Sequence, residues 1–158
     1  MKKYEMLLLA NLRQNGRESL TKLSRRTRIP VSTLYNKIKD YDKGLIRKHT
    51  VLVDFAALGF KTKATILLKL HKDQKDDFAL QILKEKSVNS CYKINNGYDF
   101  LLEGVFKEMK DVEDFVEKLE DKFDVKNKII YYIIEEIRKE EFMSSPDYLN
   151  LTFDEAIV

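Results

Sequence analysis

The stretch TRIPVSTLYNKIKDYDKGLI, residues 27–46, decides how the first third of the chain reads. Pro30 stops the chain from running helically through this point, because the residue before a proline is pushed out of the helical region. Ser32 is placed to cap a new helix. In that helix Leu34, Ile38 and Tyr41 recur at i, i+4 and i+7, one narrow apolar stripe. On a wheel of ~100° per residue, Ser32, Asn36 and Lys39 fall opposite the stripe. Tyr35, Thr33 and Asp40 flank them. A helix that only fills a core needs no face of hydroxyls, an amide and an ammonium. Those groups suit the edges of bases: Asn for adenine, Ser or Thr for several bases, Lys for guanine. A solvated helix face looks similar, so the neighbours have to decide.

Upstream, residues 3–13 read as a supporting helix with Tyr4, Leu7, Leu8 and Leu12 on one side, ended by Asn15-Gly16. Ser19 or Thr21 caps a second helix that turns Leu20 and Leu23 inward and ends near Thr27. Two short helices joined by a tight turn, behind a third, make a helix-turn-helix. Arg17, Arg25, Arg26 and Arg28, with Lys37, surround it as candidate phosphate contacts. After Gly44 the residues LIRKHTVLV alternate and are β-branched, so 45–53 is expected to form a strand pair, a wing, with Arg47 and Lys48 at its tip as further phosphate contacts. The expected base-reading set is Ser32, Thr33, Tyr35, Asn36 and Lys39. The division is a winged helix-turn-helix over 1–53 and a linker over 54–61.

Charge supports a polyanion partner. The net charge of +3 hides an asymmetry: residues 1–60 carry thirteen Lys/Arg against five Asp/Glu, and the remainder sixteen against twenty-one. A basic half joined to an acidic half points to nucleic acid for the first. The chain is 44% hydrophobic, with eight Tyr and nine Phe, enough for two modest cores. No apolar run approaches the length of a membrane span, and Asn11, Arg13 and Gln14 interrupt what would be a leader's apolar core. A single cysteine, Cys91, rules out an internal disulfide and fits a reducing cytosol, so a cytoplasmic location is expected.

The second half repeats a different rhythm. Strands are expected over 65–70, 88–94, 98–106 and within 125–137. A helix is expected over 73–86, with Phe78, Ile82 and Leu83 inward, and another over 111–123, with Val112, Phe115, Val116, Leu119 and Phe123 on one stripe. Asn95-Asn96-Gly97 is a hairpin signal. The order β-α-β-β-α-β is the ferredoxin-like split βαβ pattern, here assigned to 62–142. Both helices lie on one face of such a sheet, so the other face is expected to meet a partner subunit.

Taken together, NGRESLTKLSRRTRIPVSTLYNKIK (15–39), IRKHTVLVDFAALGF (46–60) and INNGYDFLLEGVF (94–106) resemble the Lrp/AsnC, or feast/famine, family of prokaryotic transcription regulators, over roughly residues 4–142. The resemblance implies an α+β fold: an N-terminal winged helix-turn-helix followed by a βαββαβ ferredoxin-like (RAM) domain. It also implies double-stranded DNA as partner, homodimers that assemble into tetramers or octamers, and an amino-acid effector. In the family the loop of the central hairpin contributes to the effector cleft, which implicates Asn95, Asn96, Gly97, Tyr98 and Asp99. Three departures stand out. Arg28 occupies a turn position where the family often has glycine, the third helix is one residue shorter before Gly44, and the hairpin glycine has moved by one from Thr-Gly-x-Tyr-Asp. Residues 143–158 run past the family's usual end; Tyr148, Leu149, Leu151 and Phe153 there either pack on a body or belong to a tail without fixed structure.

Enzyme chemistry has little to stand on. Two histidines, His49 and His71, and one cysteine are too few for a metal cluster, the five glycines form no phosphate loop, and no nucleophile motif occurs. No cofactor is expected. The siroheme decarboxylases resemble the same family, but the second domain offers only His71 and Arg138 for such a pocket. The remaining alternative is a nucleoid-type protein that binds DNA with little sequence preference.

Overall fold

The computed structural model describes residues 2–145, so Tyr148, Leu149, Leu151 and Phe153 lie outside the described residues. The chain forms two compact units: one made from Met1–Leu52 with Ile137–Val158, as far as these are described, the other Val53–Glu136. Residues 137–145 thus cluster with the N-terminal helices although they follow the last strand. No helix among the described residues is long and apolar enough to cross a membrane.

In the first unit, helices α1 (Lys3–Gln14), α2 (Leu20–Thr27) and α3 (Val31–Tyr41) enclose Leu8, Leu23 and Leu34, with Leu12, Leu20, Ile29, Ile38 and Tyr41 packed around them. The Ser19 hydroxyl accepts the Lys22 N–H at 3.3 Å and caps α2, as its sequence position suggests. Three expectations need correction. Ser32 is not the cap of α3: the helix begins at Val31, with Pro30 in the cap position, so Ser32 lies within the first turn and its side chain is left to face outward. Leu7 does not join the stripe of Leu8 and Leu12. It packs with Met6, Ala10 and Met143 on another side of α1. The expected strand pair over 45–53 does not form, and 46–53 carries no strand. Nine residues without Gly, Pro, Asn or Asp provide no turn about which the segment can fold back on itself, and alternation alone supplies no ladder partner.

The second unit is a four-stranded antiparallel sheet in the order β2-β3-β1-β4, from β1 (Thr62–Leu70), β2 (Val88–Lys93), β3 (Phe100–Phe106) and β4 (Val125–Tyr132). Its helices are α4 (Lys75–Ile82), preceded by a single 3-10 turn, and α5 (Met109–Lys122). Period-two alternation sorts the sheet residues. Ala64, Ile66, Leu68 and Leu70 of β1 and Phe100, Leu102 and Phe106 of β3 are buried with Phe78 and Ile82 of α4 and Val112, Phe115, Val116 and Leu119 of α5. Phe78 is the keystone, 4.7 Å from Phe100 and 5.2 Å edge-on from Phe123 between ring centres. Leu83, expected inside, is 80% exposed because α4 ends at Ile82, before the turn that would carry Leu83 inward. The opposite sheet face carries Leu67, Leu101, Val105, Ile129, Tyr92 and Tyr131, half-buried or exposed, with no helix of the unit against it.

Candidate nucleic-acid interface and effector hairpin

The apolar stripe of α3 holds the helix against α1 and α2 and so turns its other side outward. Ser32, Thr33, Tyr35, Asn36 and Lys39 are all exposed there. Among the described residues no hydrogen bond or ion pair engages the side chains of Arg17, Arg25, Arg28, Lys39, Arg47 or Lys48. All six are exposed. The turn into α3 is only Arg28-Ile29-Pro30, and it closes because Arg28 adopts the left-handed conformation, φ 58°. That is the position where a glycine would carry no steric cost.

Two of the cations singled out from the sequence are engaged inside the unit. Arg26 of α2 forks onto the Glu18 carboxylate at 3.1 and 3.2 Å and donates to the Asn11 Oδ1 at 2.7 Å. Asn11, fully buried on α1, donates in turn to the Leu7 carbonyl at 2.7 Å. Lys37 of α3 donates to Glu5 of α1 at 2.5 Å, while Glu5 also accepts the Lys2 N–H at 2.8 Å. The Lys37 ammonium, with the Lys2 N–H behind it, holds the Glu5 carboxyl below the usual glutamate range. Each staple joins α1 to one helix of the pair, so they fix the angle at which the recognition face is presented. Sequence reading missed Glu5, Asn11 and Glu18. The signal was an acid and an amide on an otherwise apolar helix side, but their partners lie too far along the chain for any local period to pair them.

After α3 the chain turns on Tyr41, whose carbonyl accepts the N–H groups of Gly44, Leu45 and Ile46 at 2.8–3.1 Å. His49 meets Asp42 at 2.8 Å and anchors the following segment to that turn. Arg47 and Lys48 therefore sit just past the end of the recognition helix without a wing to carry them.

In the second unit Asn96 and Gly97 both have positive φ, 63° and 97°, the requirement of a tight two-residue hairpin turn. Moving the glycine by one is compatible with a turn because an asparagine tolerates the first left-handed position. Asn95, Asn96 and Gly97 form an exposed tip. Tyr98 and Asp99 are committed below it. The Tyr98 hydroxyl accepts from Asn127 at 3.2 Å. The Asp99 carboxylate accepts the Leu70 N–H at 3.0 Å and the ammonium groups of Lys75 at 2.6 Å and Lys69 at 3.4 Å. Burial pushes the Asp99 carboxyl up, but the hydrogen bonds from Lys75, Leu70 and Lys69 outweigh it and hold the group below the usual aspartate range.

Comparison with known proteins agrees with this architecture. A family profile described as the Lrp/AsnC ligand binding domain matches residues 63–141. An HTH-type transcriptional regulator of Pyrococcus horikoshii is 27% identical over 140 residues, covering 88% of this chain and 94% of its own. The HTH-type transcriptional regulator FL11 of Pyrococcus abyssi is 27% identical over 107 residues, 67% of this chain and 71% of its own. Among solved structures, a Neisseria meningitidis transcriptional regulator in complex with L-Met superposes with a TM-score of 0.81 at 26% identity, covering 88% of this chain and 93% of its own. LrpC of B. subtilis shares the fold at 18% identity, with a TM-score of 0.80 over 88% of this chain and 98% of its own. With the outward helix face and the four-stranded sheet above, these matches show that the chain belongs to the Lrp/AsnC family.

Proposed function

We infer that the protein is a DNA-binding transcription regulator of the Lrp/AsnC type, acting in the cytoplasm as a homo-oligomer. The observation that carries this reading is the outer face of α3: five exposed side chains of base-reading chemistry, bordered by arginines that no internal partner engages. Ser32, Thr33, Tyr35, Asn36 and Lys39 enter a major groove, and Arg17, Arg25, Arg28, Arg47 and Lys48 hold phosphates. Arg26 and Lys37 serve the interface indirectly, by setting the helix angle. The uncovered sheet face around Leu67, Leu101 and Ile129 pairs with its copy, giving a two-fold dimer that needs half-sites one helical turn, ~10 bp, apart or a multiple of it.

The effector reading rests on the Neisseria relative solved with L-Met and on the exposed hairpin tip. Asn95, Asn96 and Gly97 are the residues still open to a small molecule, since Asp99 already holds two lysines. A thermal-shift screen with free amino acids reads this directly.

The decisive experiment is genome-wide footprinting followed by competition against bulk DNA. A regulator prefers its own site by at least ~10³; a preference near unity would leave the nucleoid-type reading in its place.

A further inference from the structure

Beyond the DNA-contacting set, we propose that Arg13 is a positioning residue: its guanidinium fastens residues 140–142 across α1, so that the DNA-binding unit is completed by chain that follows the second unit. Arg13 projects from the last turn of α1. Its Nε donates to the Phe142 carbonyl at 2.7 Å, and one Nη donates to the Glu140 carbonyl at 2.9 Å and to the Glu140 carboxylate at 3.1 Å. Main-chain acceptors more than a hundred residues away in sequence are thereby gathered on one side chain. An independent apolar contact lies beside the clamp. Met143 packs against Met6, Leu7 and Ala10, the side of α1 turned away from the Leu8/Leu23/Leu34 core. Ser144, 8% exposed, then closes the turn by donating to Glu141.

Without this strap the Met6/Ala10 side of α1 would face water, and α1 is the helix that carries Glu5 and Asn11, the two staples that orient α3 and α2. The strap therefore acts on the recognition helix through α1, not by touching DNA. It also starts from a defined place. Ile133 donates its N–H to the Lys63 carbonyl at 2.9 Å, and Lys63 pairs with Glu136 at 3.0 Å, so β4 leaves the second unit beside the point where β1 enters it. Residues 137–145 carry no helix or strand, so the strap can open without breaking an element of regular structure.

The inference builds on the DNA-binding reading only in its last step, and the test keeps the two apart. Hydrogen–deuterium exchange is measured on the full-length wild type, Arg13→Ala, Met143→Asp and the double variant, alongside binding to a mixed-sequence duplex at several salt concentrations. Met143→Asp leaves α1 and its charges intact, so it probes the strap alone. The expected result is severalfold faster exchange across residues 3–14 in each single variant, no change in the sheet, and no further increase in the double variant, because both changes release one strap. Duplex affinity drops severalfold with an unaltered salt slope. Unchanged α1 exchange in Met143→Asp, additive effects in the double variant, or a salt slope lowered by about one in Arg13→Ala would each overturn the proposal; the last would place the guanidinium on a phosphate. Absence of duplex binding by the wild type would count against the DNA reading, while the exchange data would still decide the strap.

Discussion

Arg28 sits in a left-handed turn that glycine would adopt freely, and it also offers an exposed guanidinium directly before the recognition helix. Arg28→Gly separates the two roles. An L-residue in this conformation costs about 1–2 kcal/mol relative to the right-handed alternative. Glycine removes that cost but enlarges the unfolded ensemble, giving back about 0.4–1 kcal/mol. The variant should therefore be more stable by about 0.5–1 kcal/mol, a rise in melting temperature of about 3–6 °C for a unit of this size. Losing the charge should meanwhile lower the slope of log affinity against log salt by about 0.9. The control is Arg28→Ala, which keeps a Cβ in the left-handed turn: the slope falls equally, while stability stays within about 0.5 kcal/mol of wild type. Circular dichroism at 222 nm reads the first quantity, since the chain has no tryptophan, and fluorescence anisotropy with a labelled duplex reads the second. A glycine variant less stable than wild type would show that contacts of the Arg28 side chain, and not its solvent-facing charge, justify the strained turn. An unchanged salt slope would remove Arg28 from the phosphate set.

Asn36→Ala should relax selectivity at one base position, costing about 1–3 kcal/mol on the preferred site and leaving random duplex untouched; equal losses on both would mean that Asn36 reads no base. Glu5→Gln should impair binding without changing the salt slope, and should also alter the acid limb of stability. Because the folded Glu5 carboxyl lies below its ordinary value of 4.5, its contribution is complete above that value and is lost as pH falls through the folded one. Urea titrations between pH 3 and 6 check this, and identical pH profiles for Glu5→Gln and wild type would contradict the staple. Leu67→Asp, on the open sheet face, should turn the dimer into a folded monomer by light scattering; a wild type that is already monomeric at micromolar concentration would sink the interface outright.

Residues close along the chain made much of this protein legible. The i, i+4, i+7 stripe of Leu34, Ile38 and Tyr41 fixed which side of α3 packs, and burial follows it. Asn96-Gly97 determined a tight turn, and the apolar runs over 65–70 and 98–106 located β1 and β3, although which of their rows are buried came from the sheet. These signals are local because one turn of helix or one pleat of strand is set by neighbours a few bonds apart. Alternation over 45–53 misled for the same reason: it states that a segment suits a strand, not that a partner lies opposite. Tertiary structure alone decided which charges remain available. Arg25 and Arg26 are adjacent in sequence, identical in chemistry and both exposed, yet only Arg26 is engaged, by Glu18 and the buried Asn11. Lys37 and Lys39 divide likewise, through Glu5. Arg13 joins acceptors from the far end of the described chain. An ion pair forms wherever folding brings two charges within a few ångströms, and sequence separation carries no record of that distance.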